Sequence, residues 1–552
     1  MTDASDNSLL TEYTAVVSRA ILALLLAATI AFAWSVLPLV LRIKRSNLWV
    51  IPGPRSTNWL LGNLNEYNDS PEDLISDAWM RQYGSVVRIH GFLQAPILSV
   101  TDNRALNHIF TNFTTFPKPE YVRRDLSKLL CEGTRPSAHS RVLNQAFGAA
   151  QIREATRTFF DKALELRDLW GGEVSTGAQP TRINILHNYI LHGLNLTTLD
   201  VIGQAAFNYD FEALKYAHNP NTFASTMEQI FSMPDQRPVR VLLSNLIPAL
   251  NYLTDPNMKL IDIAVGLMRG IGARLVAEKK SELVLDDKHI DRGAKSLEDR
   301  DLVTVLVKAH MFPDVLDGPL LSEDDVLSRN FIIAGYETTS DAVTWCLYEL
   351  ARAPRIQAKL REEVLAVRAD APTMDDLISL PYLDMVVHET LRLRAPVTST
   401  VRSANKTEVI PLESLFRGLD GKMHDSIEVP EGTILVIPFM AIHRSTTIWG
   451  TDATEFRPER WEDPPKASDD IPGMWGHLLS FGSGPRGCLG YRFAIVEMKA
   501  LIFTLLRAFE FAPAVDPANI GTMPGIVLRP CLKDELERGS QMPLLVSRRD
   551  VI

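Results

Sequence analysis

The stretch Phe481–Gly490 reads FGSGPRGCLG and runs straight into YRFAIVEMKALIFTLL. No other ten residues constrain this chain as strongly. Gly482, Gly484 and Pro485 oppose regular structure, so Cys488 is presented from a loop. Gly487 and Gly490 remove side chains on both sides of it, which lets a flat group approach the sulfur. The apolar run that follows predicts a buried helix beginning at Cys488. Its first amides and its dipole favour a thiolate, the form of cysteine that ligates metals. Arg486 places a cation two residues away, able to stand beside that thiolate or to pair with a carboxylate on a bound cofactor. Read alone, a structural cysteine at a helix start is the alternative. Cys131, Cys346 and Cys531 are too scattered for a disulfide framework, and no CxxC pair suggests zinc.

Residues 20–41, AILALLLAATIAFAWSVLPLVL, carry no charge and are about as long as a helix crossing the hydrocarbon core. Arg42, Lys44 and Arg45 follow at once, while Asp3, Asp6 and Glu12 precede with only Arg19. The positive-inside bias therefore puts the C-terminal side in the cytosol. A cleaved signal peptide is the alternative, but the apolar stretch exceeds the roughly 7–15 residues of a signal core. Pro52 and Pro54 in WVIPGPR then read as a stiff hinge. The expected organisation is a tail at 1–19, a transmembrane anchor at 20–41, a basic and proline-rich hinge at 42–55 and one large body at 56–552.

Within the body, helical periodicity covers 141–160, 183–207, 260–282, 324–352, 355–368, 382–394 and 488–507. Strand-like stretches are short: 86–90, 97–100, 409–412 and 433–437. Residues 283–301 read as a charged linker, and 413–428 as a turn between strands. The fold class is mainly α with a minor β-sheet (α+β). The net charge of −10 argues against a nucleic-acid partner, which needs a basic footprint.

Three further patterns carry chemistry. Ala334–Thr339 reads AGYETT within a helical pattern, where a glycine costs about 1 kcal/mol relative to alanine. Adjacent threonine hydroxyls there can bond back to earlier carbonyls and bend the helix. Glu389 and Arg392 form an ExxR pair on one helical face, but the same spacing recurs at Glu120, Glu154, Glu349 and Glu535. FRPERW supplies Arg460.

Together these segments resemble the cytochrome P450 family, whose FxxGxRxCxG signature is matched at every fixed position from Phe481 to Gly490. The likeness runs from about Ile51 to Pro530, and segments such as TTLDVIGQAAFNYDF, Thr197–Phe211, and the long Pro411–Pro430 hairpin look like membrane-bound members from mushroom-forming fungi. It implies haem b (iron-protoporphyrin IX) with Cys488 as axial ligand of the iron, and Phe481, Arg486 and Arg402 as further cofactor-binding residues. It implies that Thr338 and Glu337 deliver protons on a central helix locally bulged over the haem. It implies that Glu389, Arg392 and Arg460 form a structural triad, and that His443 and Arg444 pack near the same region. One segment departs from the family: EGTRPSAHSRVLNQAF puts Pro136 and Ser140 where Trp or His and Arg are usual, leaving Arg135, His139 or Arg141 as substitutes.

The implied activity is monooxygenation of a lipophilic small molecule at a membrane. A terpenoid-like fungal secondary metabolite is the expected substrate class, entering a pocket built from parts of 113–130, 221–253, 331–338, 396–401 and 523–528. No flavin or nicotinamide fingerprint is present, so electrons are expected from an NADPH-cytochrome P450 reductase, with cytochrome b5 as an optional second donor. Arg141, Arg153, Arg444 and Lys499 are candidates for its docking face. The implied location is the endoplasmic reticulum membrane, single-pass, with the body cytosolic. A peroxide-rearranging haem-thiolate isomerase or dehydratase and a non-catalytic haem sensor stay open as other classes.

Overall fold

The computed structural model describes residues 17–19, 22, 26, 43–44, 46–69, 74–129, 147–174, 181–183, 189–216, 225–226, 256–287, 330–523 and 527–549. At its centre lies the helix Asn330–Arg352, buried along nearly all of its described length from Ile332 to Ala351. It packs against Tyr189–Phe207 and against Tyr491–Ala508. Tyr189–Phe207 is apolar on every side, and such a helix has to be covered all round: Leu191, Leu194, Leu199 and Ile202 are buried. A Cβ on Gly335 would stand 3.0 Å from the Ile202 side chain, so that glycine sets the close approach of the two helices. Ser340 donates to Asn195 and Thr198 donates to the Tyr336 carbonyl, which pairs the buried polar groups at the contact. Tyr491–Ala508 in turn packs on Ala149–Glu173, with Phe493 edge-on to Phe159 at 4.7 Å.

Among the described residues, four small sheets lie around these helices. The largest runs Val86–His90, Pro96–Val100, Ile434–Pro438, Ser399–Ser403, with the middle pair parallel. A three-stranded sheet joins Thr181–Ile183, Leu544–Arg548 and Phe509–Pro513. Ile520–Met523 pairs with Arg529–Leu532, and Glu408–Arg417 with Met423–Val429. The helix-rich reading with a minor sheet holds.

Several boundaries move. The helix expected from 183 begins at Tyr189, because Thr181–Ile183 is taken as a strand by Leu544–Val546. Residues 283–287, read as linker, extend the helix Pro256–Asp287. The helix expected from Cys488 starts at Tyr491. Among the described residues no helix is long and apolar enough to cross a membrane. The run 20–41 lies outside them except for Leu22 and Leu26, both exposed.

Candidate active site

The loop around Cys488 is braced by short-range geometry. The Cys488 N–H donates to the Phe481 carbonyl at 2.7 Å and closes the loop. Gly484 has φ +63°, and a Cβ there would lie 2.9 Å from the Phe110 carbonyl oxygen, so only glycine lets the loop rest on the helix Asn103–Thr111. A Cβ on Gly487 would fall 1.9 Å from the Met474 sulfur. The Leu479 N–H donates to Nε2 of His443 at 2.8 Å, and Ser480 donates to the Leu391 carbonyl at 2.7 Å. Burial, with the charges of Arg392 and Arg444, drives the His443 pKa down to about 3, so the imidazole stays neutral and can accept. Phe481 stands edge-on to Trp475, which stacks on His388 at 3.6 Å.

Cys488 itself is exposed, yet burial raises its thiol pKa, opposed by a hydrogen bond from the Gly490 backbone. Lys118 has the same character: exposed, but with its pKa pushed down to about 8 by burial and by Arg402 and Arg486. Burial and Arg486 lower Arg402 to about 10. Arg402 donates to Thr400 Oγ1 at 2.7 Å and to the Val401 carbonyl at 2.9 Å. Its strand is tied to the segment bearing Lys118 by a 2.8 Å bond from the Ser403 N–H to the Pro117 carbonyl. Among the described residues no carboxylate pairs with Arg402 or Lys118. Three cations brought together beside the cysteine loop make a site for an anion.

On the central helix, Ala334 is exposed and Thr338 half-buried, while Tyr336, Glu337 and Thr339 between and beside them are buried. One i, i+4 edge of an otherwise enclosed helix therefore opens onto space. Thr338 Oγ1 donates to the Ala334 carbonyl at 2.7 Å, and the helix continues through this turn without the expected bulge. Glu337 is buried and forms an ion pair with Arg529. Arg529 is positioned by the Trp345 indole, which donates to the Leu528 carbonyl at 2.7 Å.

Of the described ExxR spacings, only Glu389 and Arg392 are both fully buried. They pair bidentately at 2.8 Å. Arg392 also donates to the carbonyls of His443 at 2.7 Å and Ala453 at 2.6 Å. Arg460 approaches Glu389 at 3.4 Å and Asp452 at 3.0 Å, and the Trp461 indole completes the set at 3.0 Å. Every charge in this group has fixed partners, the condition under which a buried pair is tolerated. Because Arg392 bonds the His443 carbonyl and His443 bonds Leu479, the triad is coupled to the cysteine loop.

Two of the residues suggested for a docking face do not reach the surface. Arg444 is buried and donates to the Leu393 carbonyl at 2.6 Å. Lys499 is buried and paired with Asp384 at 2.7 Å. Arg153 is exposed and pairs with Asp375 at 3.2 Å. Arg141, with Arg135, Pro136, His139 and Ser140, lies outside the described residues, as does nearly all of 221–253.

Sequence reasoning missed Lys118, Arg529, Asp341 and Glu497. Asp341 and Glu497 are buried acids whose pKa values burial raises well above the ordinary carboxyl range, with Glu497 hydrogen-bonded to Thr339. A Glu inside the apolar run FAIVEMKALIF was a visible signal for the second. Nothing local in FPKPEY marks Lys118.

An exposed loop cysteine, a cationic cluster beside it and a helix edge carrying an alcohol suit a thiolate-ligand site for a flat group with an anionic edge. That is the donor set haem requires. Residues 52–536 match the cytochrome P450 family, and this chain belongs to it. It is 41% identical over 529 residues to cytochrome P450 monooxygenase 205 of Postia placenta, covering 94% of this chain and 96% of that one. It is 32% identical to cytochrome P450 monooxygenase claQ of Ampulloclitocybe clavipes, over 94% of this chain and 97% of that one. It is 30% identical to the ganoderic acid synthetase of Ganoderma lucidum, over 85% and 89%. The protein is a cytochrome P450 monooxygenase, an oxidoreductase, and its family implies a haem-thiolate cofactor.

Proposed function

We propose that this monooxygenase oxidises a lipophilic, terpenoid-like secondary metabolite while anchored in the endoplasmic reticulum membrane by residues 20–41, with its body in the cytosol. The observation that carries the site assignment is the convergence of Lys118, Arg402 and Arg486 beside the Cys488 loop. Haem b would be held by the Cys488 sulfur, with Arg402, Arg486 and Lys118 facing its carboxylates and Phe481 packed beside the loop. Bound there, haem supplies dioxygen activation, and thiolate ligation tunes it.

The chain's own residues orient the substrate and manage protons. Thr338 Oγ, its hydrogen committed to the Ala334 carbonyl, has lone pairs free to accept and can pass a proton on by exchanging donors. Glu337 joins that exchange when its pair with Arg529 opens, so the ion pair sets when the acid is available. Reducing equivalents come from an NADPH-cytochrome P450 reductase, with cytochrome b5 as a second donor. The relative named for ganoderic acid synthesis supports the substrate class. The test is a screen of lipophilic terpenoids against polar aromatic compounds, with reductase and NADPH, reading products by mass spectrometry. Turnover confined to polar aromatic compounds would overturn the substrate class; tight binding without NADPH consumption would favour a sensor.

A further inference from the structure

Asp341 lies on the central helix one turn beyond both Glu337 and Thr338, which precede it by four and three residues. It is buried, and neither of its carboxylate oxygens has a hydrogen-bond partner among the described residues. An ionised carboxylate in that setting would be costly, so the group is held as the neutral acid and carries a proton.

One short segment meets the helix here. Trp345, four residues after Asp341, donates its indole N–H to the Leu528 carbonyl at 2.7 Å. Arg529, next to Leu528, pairs with Glu337, four residues before Asp341. Glu337, Asp341 and Trp345 form an i, i+4, i+8 stripe, and Leu528 and Arg529 touch it on either side of Asp341. The Arg529 guanidinium reaches Asp341 from Glu337 by turning along the helix by one turn, ~5.4 Å. Cations on the neighbouring elements are committed elsewhere. Arg394 lies over the Trp345 ring and pairs with Glu349 at 2.9 Å, and Lys499 pairs with Asp384 at 2.7 Å. Glu497 is turned to Thr339, which is two residues from Asp341 and so on another face. Glu337, Asp341 and Arg529 are all buried, two carboxylates with one cation, and charge balance leaves them one proton to share.

We propose that Arg529 and one proton trade places between Glu337 and Asp341, so that Asp341 sets when Glu337 can act as an acid. This rests on the reading that Glu337 and Thr338 handle protons. In one arrangement Glu337 pairs with Arg529, as in the structure, and Asp341 carries the proton. In the other, the proton has left the Asp341 oxygen for a Glu337 oxygen, and Arg529 pairs with Asp341. The three side chains sum to zero charge in both, so neither arrangement buries an unpaired charge. The exchange delivers Glu337 as a neutral acid whose O–H can turn to Thr338 Oγ1, where lone pairs accept. Once that proton is given up, Arg529 returns to Glu337 and Asp341 takes one proton from water. Asp341 acts through Arg529 and Glu337 and is a positioning residue.

The test reads carboxyl protonation by infrared spectroscopy of the full-length, haem-loaded protein in an ester-free detergent, in H2O and in D2O. A protonated carboxylic acid absorbs apart from carboxylates and shifts in D2O. Asp341→Asn should remove one such band, and Glu497→Gln a different one. Glu337→Gln leaves Arg529 with Asp341 as its carboxylate, so the Asp341 band should vanish although Asp341 is intact. Arg529→Gln should add a band, from Glu337. No band lost in Asp341→Asn, or the Asp341 band kept in Glu337→Gln, would overturn the proposal. In turnover with reductase, Asp341→Asn should lower product per NADPH toward the level of Glu337→Gln, with its carbon monoxide difference band unchanged. If Glu337→Gln and Thr338→Ala lose coupling while the Asp341 band survives in Glu337→Gln, the exchange fails and the reading of Glu337 and Thr338 stands. Normal coupling in all three variants would overturn both, whatever the infrared bands do.

Discussion

At the residue scale the cysteine loop shows how little freedom the site has. Gly484 is fixed by its positive φ and by the Phe110 carbonyl behind it, and Cys488 by its bond to Phe481. Cys488→Ser should keep the fold, since serine fits the same loop, but lose thiolate ligation. The expected result is loss of the thiolate-type band in the carbon monoxide difference spectrum of the reduced protein, together with product formation. An unchanged band would remove Cys488 from the iron. Thr338→Ala deletes the one hydroxyl on the exposed edge of the central helix. NADPH consumption should persist while product per NADPH falls, by up to about 10²-fold if proton transfer limits coupling. Equal coupling in the variant would move proton delivery elsewhere. The residues that sequence reasoning found here are those inside a contiguous pattern. Lys118 and Arg529 escaped because each reaches the site through contacts distant in the chain, Lys118 beside Arg402 and Arg529 against Glu337.

At the element scale two helices hold the site by buried charge, with opposite consequences. In the Pro381–Leu393 helix, Glu389 and Arg392 are matched with each other and with the backbone around Ala453 and His443. Glu389→Gln would leave Arg392 and Arg460 buried beside a neutral amide. Breaking a buried pair in this way costs about 3–5 kcal/mol. Membranes expressing the variant should show a large loss of spectrally competent protein, and a normal yield with normal melting would rule out a bracing role. In the central helix and the Tyr491–Ala508 helix, Asp341 and Glu497 are buried, with their pKa values raised. A folded-state pKa above the unfolded one means the native state holds protons the unfolded chain has released, so stability falls as pH rises from about 4 upward. Asp200 adds to this in the same direction, its pKa raised to about 6 by burial against the pull of the Leu214 and Ala213 N–H groups. Asp341→Asn and Glu497→Gln should therefore gain melting temperature relative to wild type at pH 8 more than at pH 5. A difference independent of pH would mean both acids are ionised in the native state. Long apolar helices such as Tyr189–Phe207 were legible because burial imposes its own composition. The strand Phe509–Pro513 was not, because it follows the preceding helix with no glycine or proline to mark the change and owes its extended form to pairing with Leu544–Arg548.

At the scale of the whole molecule the proposed anchor at 20–41 makes a prediction about topology that native sequons can report. Asn68, Asn112, Asn195 and Asn405 each begin an Asn-X-Ser/Thr triplet. Asn195 is buried against the central helix, whereas Asn405 is exposed, with its Nδ2 donating to the Thr114 carbonyl at 2.6 Å, so Asn405 is the more accessible of these two reporters. If 20–41 is an anchor with Arg42, Lys44 and Arg45 on the cytosolic side, Asn405 never meets the glycosylation machinery, and treatment with a glycosidase should leave the electrophoretic mobility unchanged. The tail supplies the complementary probe: Leu9→Thr turns Asn7-Ser8-Leu9 into a sequon on the opposite side of the anchor. That variant should gain one glycan, and Asn7→Gln in the same chain should remove it. A cleaved signal peptide predicts the reverse, with glycan on Asn405 and none added by Leu9→Thr, because the tail would be lost with the leader. Of these two arrangements, the anchored one leaves the Cys488 loop on the cytosolic side, where the proposed reductase, drawing on cytosolic NADPH, would dock.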